Sequence, residues 1–136
     1  MADLTVTAAN VAEGSGAKKT TGTAGATITA GQTVYKDAAD SNKIKLADAD
    51  LSQAASTVVG IALHAALSGQ PITYQTDGQL DVGATLTVGE IYVLSGTAGG
   101  IAPVADLAAS DWVVILGVAL ATDNLDVQLY IAGIQQ

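Results

Sequence analysis

The chain has 136 residues, 49% of them apolar, with no cysteine, one histidine, and thirteen acidic residues against five basic ones for a formal charge of −8. All five basic residues are lysines, and a −8 chain without arginine lacks the groups that neutralise phosphates, which excludes nucleic acid as a direct partner. The missing cysteines exclude disulfides and thiolate chemistry, and the sequence contains no apolar run of the length a membrane-spanning helix needs.

Residues 1–26 open with Leu4, Val6 and Ala8 alternating with polar residues, the pattern of a short strand, and then lose large apolar side chains from Glu13 to Ala26. Such a stretch buries too little to offset its ordering entropy. It is expected to be an extended or flexible N-terminal arm that orders on a partner, leaving residues 27–136 as a β body that folds without it. An acid stands at Asp3, where a secretion signal would carry bases, so synthesis in a cytoplasm is expected. All five lysines fall in residues 18–45, whereas residues 46–136 hold nine acids and no base.

Along the body, alternation and β-branched runs predict strands near 33–36, 43–46, 57–64 and 71–76, and again near 90–95, 100–104, 112–121 and 126–132. One short helix is expected within 47–55, whose aspartates can cap and whose alanines favour helix. Asp77-Gly78 carries the signal of a tight turn between strands. The two sets of strands share words: "TITAG" at 27–31 returns as "TLTVG" at 85–89, and Gly60-Ile-Ala-Leu returns as Gly117-Val-Ala-Leu. A long period present twice implies a duplicated half-domain. The fold is therefore read as all-β: a small sandwich or barrel-like body of two half-units, about 27–78 and 85–133. Gly60 and Gly117, at matching places in the two copies, mark a bulge, a close approach or a bend; a bend where the strand crosses between two sheets is the expected form.

Chemistry-bearing residues are sparse. "GSGAKKTT" at 14–21 fails the phosphate-loop pattern, because Lys18 and Glu13 stand where glycines are required. His64 has the intrinsic pKa of a general base, but no nucleophile-elbow pattern surrounds nearby Ser68, and the second unit has Ala121 at the matching place. A small hydrolase built on His64 is thus a minor alternative to a strand-end histidine at the surface. The Asp48/Asp50 and Asp37/Asp40 pairs do not continue into a calcium loop. No catalytic, cofactor-binding or metal site is assigned. Trp112, Tyr35 and Tyr92 are candidate interface anchors, since aromatic residues dominate contact hot spots; packing in the core is the competing reading.

Taken with the paired Gly-x-Ala-Leu words, "VGEIYVLSGTAGGIAPVADL" at 88–107 and "GVALAT…VQLYIAG" at 117–133 resemble the small capsid cement (decoration) proteins of tailed bacteriophages over about residues 27–133. The resemblance implies a compact β domain on the outer surface of the virion head. It implies a protein that is not an enzyme, associates as a homotrimer, and clamps major capsid subunits. In that setting the arm residues Leu4, Val6, Ala8, Lys18 and Lys19 would contact the capsid. A fibre or adhesin module that binds surface glycans is the alternative from another class.

Overall fold

A computed structural model describes residues 3–135. The chain is all-β. Ten strands form one curled, antiparallel sheet: β1 Val11–Glu13, β2 Lys18–Thr23, β3 Thr33–Asp37, β4 Lys43–Leu46, β5 Val58–Ala62, β6 Pro71–Val82, β7 Ile91–Leu94, β8 Ile101–Pro103, β9 Trp112–Ala121 and β10 Asn124–Gln135. The order along the sheet is β4-β3-β5-β6-β10-β9-β7-β8. β3 to β6 therefore lie in the order second, first, third, fourth, and β7 to β10 repeat that order in mirror sequence, while β1 and β2 pair with β6 off this path. The two half-units read from the repeated words have the same internal topology and join where β6 pairs with β10.

Register sharpens the equivalence. Val34 faces Gly60, and the next ladder pair is Tyr35 with Val58, so Val59 is an extra residue in β5. Tyr92 faces Gly117, and the next pair is Val93 with Ile115, so Leu116 is an extra residue in β9. Each glycine thus stands beside the same one-residue bulge. Both also lie under a neighbouring backbone: a Cβ on Gly60 would meet the Gln75 carbonyl oxygen and the Tyr74 ring, and one on Gly117 would meet the Asp126 carbonyl oxygen. The expected crossing between two sheets is not what they do. The sheet is single, and the glycines admit a bulge and a close strand.

The N-terminal segment departs most from expectation. Leu4–Ala8 is not a strand; it leads into a 3-10 turn at Ala8–Asn10. β1 pairs with the second half of β6 and β2 with its first half. Ala24 forms a parallel bridge to Ile44 on one terminal strand of the sheet, and the Leu4 N–H donates to the Ile101 carbonyl on the other. The partner on which this segment orders is its own body. Glycines make that possible, because a Cβ on Gly22 would meet Ile44 and one on Gly25 would meet Lys43 and Lys45. At Gly22 and Gly25 the segment meets the sheet with backbone and no side chain between. Residues 1 and 2 of that segment, and residue 136 of the body, fall outside the described residues.

Two apolar clusters result. The main one joins both half-units through Ile61, Leu80, Tyr92, Leu116, Ala119, Leu125 and Val127, with Leu4 and Val11 packed against it. The smaller one, Val34, Ile44, Ala62, Ile72 and Tyr74, lies in the first half-unit and is completed by Ala24 and Ile28 from the segment before β3. Two further expectations change. Asp77-Gly78 is no hairpin turn: β6 runs through it, and Gly78, at φ +90°, lies directly beneath Gly16 and Ala17. The buried Gln75 amide donates to the carbonyls of Asp77 and Gln79, holding the irregular backbone. The short helix, α1, is Gln53–Ser56, capped by Ser52, whose hydroxyl accepts from the Ala55 N–H. Asp48 instead accepts from the Asp50 N–H in a tight local turn.

Candidate interaction surface

β9 and β10 form a long hairpin, and its residue alternation decides what reaches solvent. Val114, Leu116 and Ala119 of β9, with Leu125 and Val127 of β10, point into the main core. Val118 (38% exposed), Leu120 (49%), Tyr130 (62%) and Ile134 (61%) remain outside. Scattered exposed apolar residues are ordinary, but several on one hairpin mark a contact face. A shallow groove runs across it, lined by Ile115, Gly117, Val118, Asp126, Gln128 and Tyr130. Residues 112–122 and 127–135 contain no ionisable side chain except the Tyr130 phenol. In a chain of charge −8 this is an uncharged window. Asp126, which lines the groove, accepts from the Gln128 amide at 2.9 Å, and Asp77 of β6 pairs with Gln128 beside it.

The residues singled out from sequence do not assemble into one surface. Tyr92 is a core residue, 2% exposed, whose hydroxyl accepts from the Thr87 N–H at 2.8 Å; burial removes it as a contact anchor. Tyr35 and Trp112 are half-buried. Leu4 packs on the main core, and Val6 lies against Gly31, where a Cβ would strike it. Ala8 is exposed. Lys18 and Lys19 are exposed on β2, with Asp77 at 4.0 Å and Glu13 at 2.8 Å respectively. Surface pairs of this kind contribute little and leave both lysines free to be recruited. Sequence reading missed Tyr130, the most exposed aromatic on the hairpin; its position in clean alternation with the inward Leu125 and Val127 was the available signal.

His64 has a backbone role. Its Nε2 accepts from the Thr73 N–H at 3.0 Å while Nδ1 lies 2.9 Å from the Ala65 carbonyl, so the neutral ring donates from Nδ1 and extends the β5–β6 ladder past Ala62. Both ring nitrogens are thereby engaged with backbone. Among the described residues no group of three or more histidine or acidic side chains is placed to hold a metal ion. Asp48 is pushed above the usual carboxylate range, first by burial and then by its neighbour Asp50, with Asp111 adding repulsion.

One ion-pair network is well built. On the β3–β4 hairpin, Lys45 Nζ lies 2.8 Å from Asp37 and 3.0 Å from Asp40, and Asp37 also accepts from the Ala39 N–H. The Lys45 hydrogen bond holds the Asp37 carboxyl below its usual range, and the two aspartates push the Lys45 ammonium upward. A carboxylate whose folded-state pKa is depressed contributes stability above its unfolded pKa of about 4, and that contribution is lost as pH falls through the folded value. Asp37→Asn is therefore expected to lower Tm at pH 7 and to lose this deficit on acidification below about pH 4. Thermal melts of both proteins from pH 7 to pH 3 test it; an unchanged gap at pH 3 would contradict the assignment.

A polar cleft of about 490 Å³ opens elsewhere, lined by Thr5, Thr7, Asn10, Asp81, Gly83, Ala84, Thr85, Thr122 and Asp123. No family model matches the chain, and no curated protein matches its sequence.

Proposed function

We propose that this protein is a structural component of a tailed-phage virion that decorates the outside of the capsid, bridges major capsid subunits and associates with its own copies as a homotrimer. The uncharged, apolar β9–β10 face is the observation that carries the reading. A rigid sheet presenting such a face suits protein–protein contact, which requires buried area and shape more than reactive groups. The resemblance in residues 27–133 supplies the capsid as partner. Many identical weak contacts on one lattice reinforce each other through effective concentration, so each need bury only modest area. Lys18 and Lys19 on β2 remain the residues proposed to meet acidic groups of the capsid. Leu4 and Val6 serve by anchoring that segment to the body.

The direct test is head stability. Heads assembled from the major capsid protein encoded with this chain are packaged with DNA, then warmed with and without the purified protein. Saturating protein should raise the temperature of DNA release, and Lys18→Glu with Lys19→Glu should weaken the effect. Release at the same temperature with and without it would contradict the proposal. The glycan-binding reading is favoured by one observation, the polar cleft with Asp81, Asp123 and Asn10. Saturable binding on a glycan array, abolished by Asp123→Ala, would support it instead.

A further inference from the structure

The β5–β6 connection, Leu63–Gln70, has no counterpart in the second half-unit, where Thr122 and Asp123 alone join β9 to β10. Its first rung combines backbone with a side chain. Leu63 stands opposite Thr73, one step beyond the Ala62–Tyr74 pair, and its N–H donates to the Thr73 carbonyl at 3.0 Å. In a hydrogen-bonded antiparallel pair the second bond returns between the same two residues. Here the Thr73 N–H donates instead to His64 Nε2 at 3.0 Å, so an imidazole nitrogen takes the place of a backbone carbonyl. With Nδ1 2.9 Å from the Ala65 carbonyl, only the neutral ring carrying its proton on Nδ1 makes both bonds. The second half-unit has Ala121 at the matching place, and Ala121 pairs directly with Asn124 across the tight link.

We infer that His64 is an acid-sensitive latch on this connection. A second ring proton would set an Nε2–H against the Thr73 N–H, two donors with no acceptor between them, and the ring must swing away. The ring is exposed, so solvent protons reach it without prior opening. No acid is at hand to hold the imidazolium in place. Residues 65–73, which complete the connection and begin β6, carry no ionisable side chain, and neither do β5 or residues 24–28 packed against the connection. Tyr74, next on β6, is a buried phenol. The first carboxylate along β6, Asp77, has Lys18 of β2 at 4.0 Å, and Lys19 lies 2.8 Å from Glu13. What the latch holds is set by the backbone. Ile28 and Ala66 exchange two hydrogen bonds of 2.9 Å, the Ala24 N–H donates to the Gln70 carbonyl, and the Gly69 N–H donates to the Ala24 carbonyl. Ala24, Ile28 and Ala66 are members of the smaller apolar cluster. Acid at His64 thus frees one end of a connection whose other contacts close that cluster.

The latch needs no capsid, so its test uses the isolated full chain. Nitrogen-15 NMR at about pH 7.5 should show His64 as the Nδ1–H tautomer. On acidification to about pH 5.5, through the ordinary range of an imidazole near 6.5, the Thr73 amide should shift with the same midpoint as the ring. The amides of Ala66 and Ile28 should follow. His64→Gln keeps an oxygen able to accept from Thr73 but does not titrate, so in that variant these amides should stay in place. Between the same two pH values the wild type should lose about 3–5 °C of Tm relative to the variant. Asp48, raised by burial, is present in both proteins and cancels in the difference. An Nε2–H tautomer at neutral pH, a Thr73 amide that does not follow the ring, or a constant Tm gap would overturn the inference. The tautomer and the Thr73 shift need only the wild type, so they decide the matter if the variant does not fold.

Discussion

Removing residues 1–26 should destabilise this protein severely. The deletion strips β1 and β2 from β6, withdraws Leu4 and Val11 from the main core, and takes Ala24 from the smaller cluster. It also uncovers Ile44 and Tyr74, on which the backbone of Gly22 rests. Each partly buried aliphatic contributes about 1–2 kcal/mol, and the two lost ladders add more, so the deficit is on the order of 5 kcal/mol. Domains of this size are stable by about 5–15 kcal/mol in total. The truncated chain should show no cooperative thermal transition, or one lowered by roughly 15–20 °C. Deleting residues 1–8 alone, which removes Leu4 and Val6 but keeps both strands, should cost about 2 kcal/mol. A truncated body that melts within about 5 °C of the full chain would show that the segment is an accessory after all, as its composition suggests.

The second large effect is expected at the bulge glycines. In Gly117→Ala the new methyl points at the Asp126 carbonyl oxygen, with the Val127 Cα 3.3 Å away. These are backbone atoms of the paired strand and move only if the β9–β10 ladder opens. The substitution should cost about 2–4 kcal/mol, above the usual range for an overpacked site because no flexible side chain can yield. Gly60→Ala, facing the Gln75 carbonyl at 2.5 Å and the Tyr74 ring at 2.7 Å, should cost a similar amount. Gly89→Ala is the control. Its φ is +83° but nothing lies near the added carbon, so only the left-handed backbone penalty of about 1 kcal/mol applies. Equal costs at Gly89 and Gly117 in urea denaturation would mean that close approach is not what the bulge glycine provides.

Strands were legible where side chains alternate or run apolar within one element. The limits expected for β3, β4 and β9 match to within a residue, because those strands carry their own pattern. The duplication was legible from repeated words and returns as a mirrored strand order. What escaped was whatever depends on a distant neighbour. Asp77-Gly78 has the left-handed glycine that a turn and a bulge share, and only the overlying Gly16 and Ala17 tell them apart. The glycines of residues 14–25 signal looseness in a linear reading. In the fold they allow backbone to touch Gln79, Ile44 and Lys43 where a side chain would not fit. Tyr92 and Tyr130 look alike in sequence, yet one is enclosed and the other stands on the exposed face of the hairpin. The helix shifted because Ser52, and not an aspartate before it, supplies the cap.

The proposed attachment to a capsid lattice is tested most directly by imaging. Electron cryo-microscopy of heads incubated with excess protein should show a compact β body at symmetry-related positions on the outer surface. Density for β2, with Lys18 and Lys19, should face a capsid subunit, and the β9–β10 hairpin should lie against a neighbouring protein. Bare heads in the presence of excess folded protein would contradict the account.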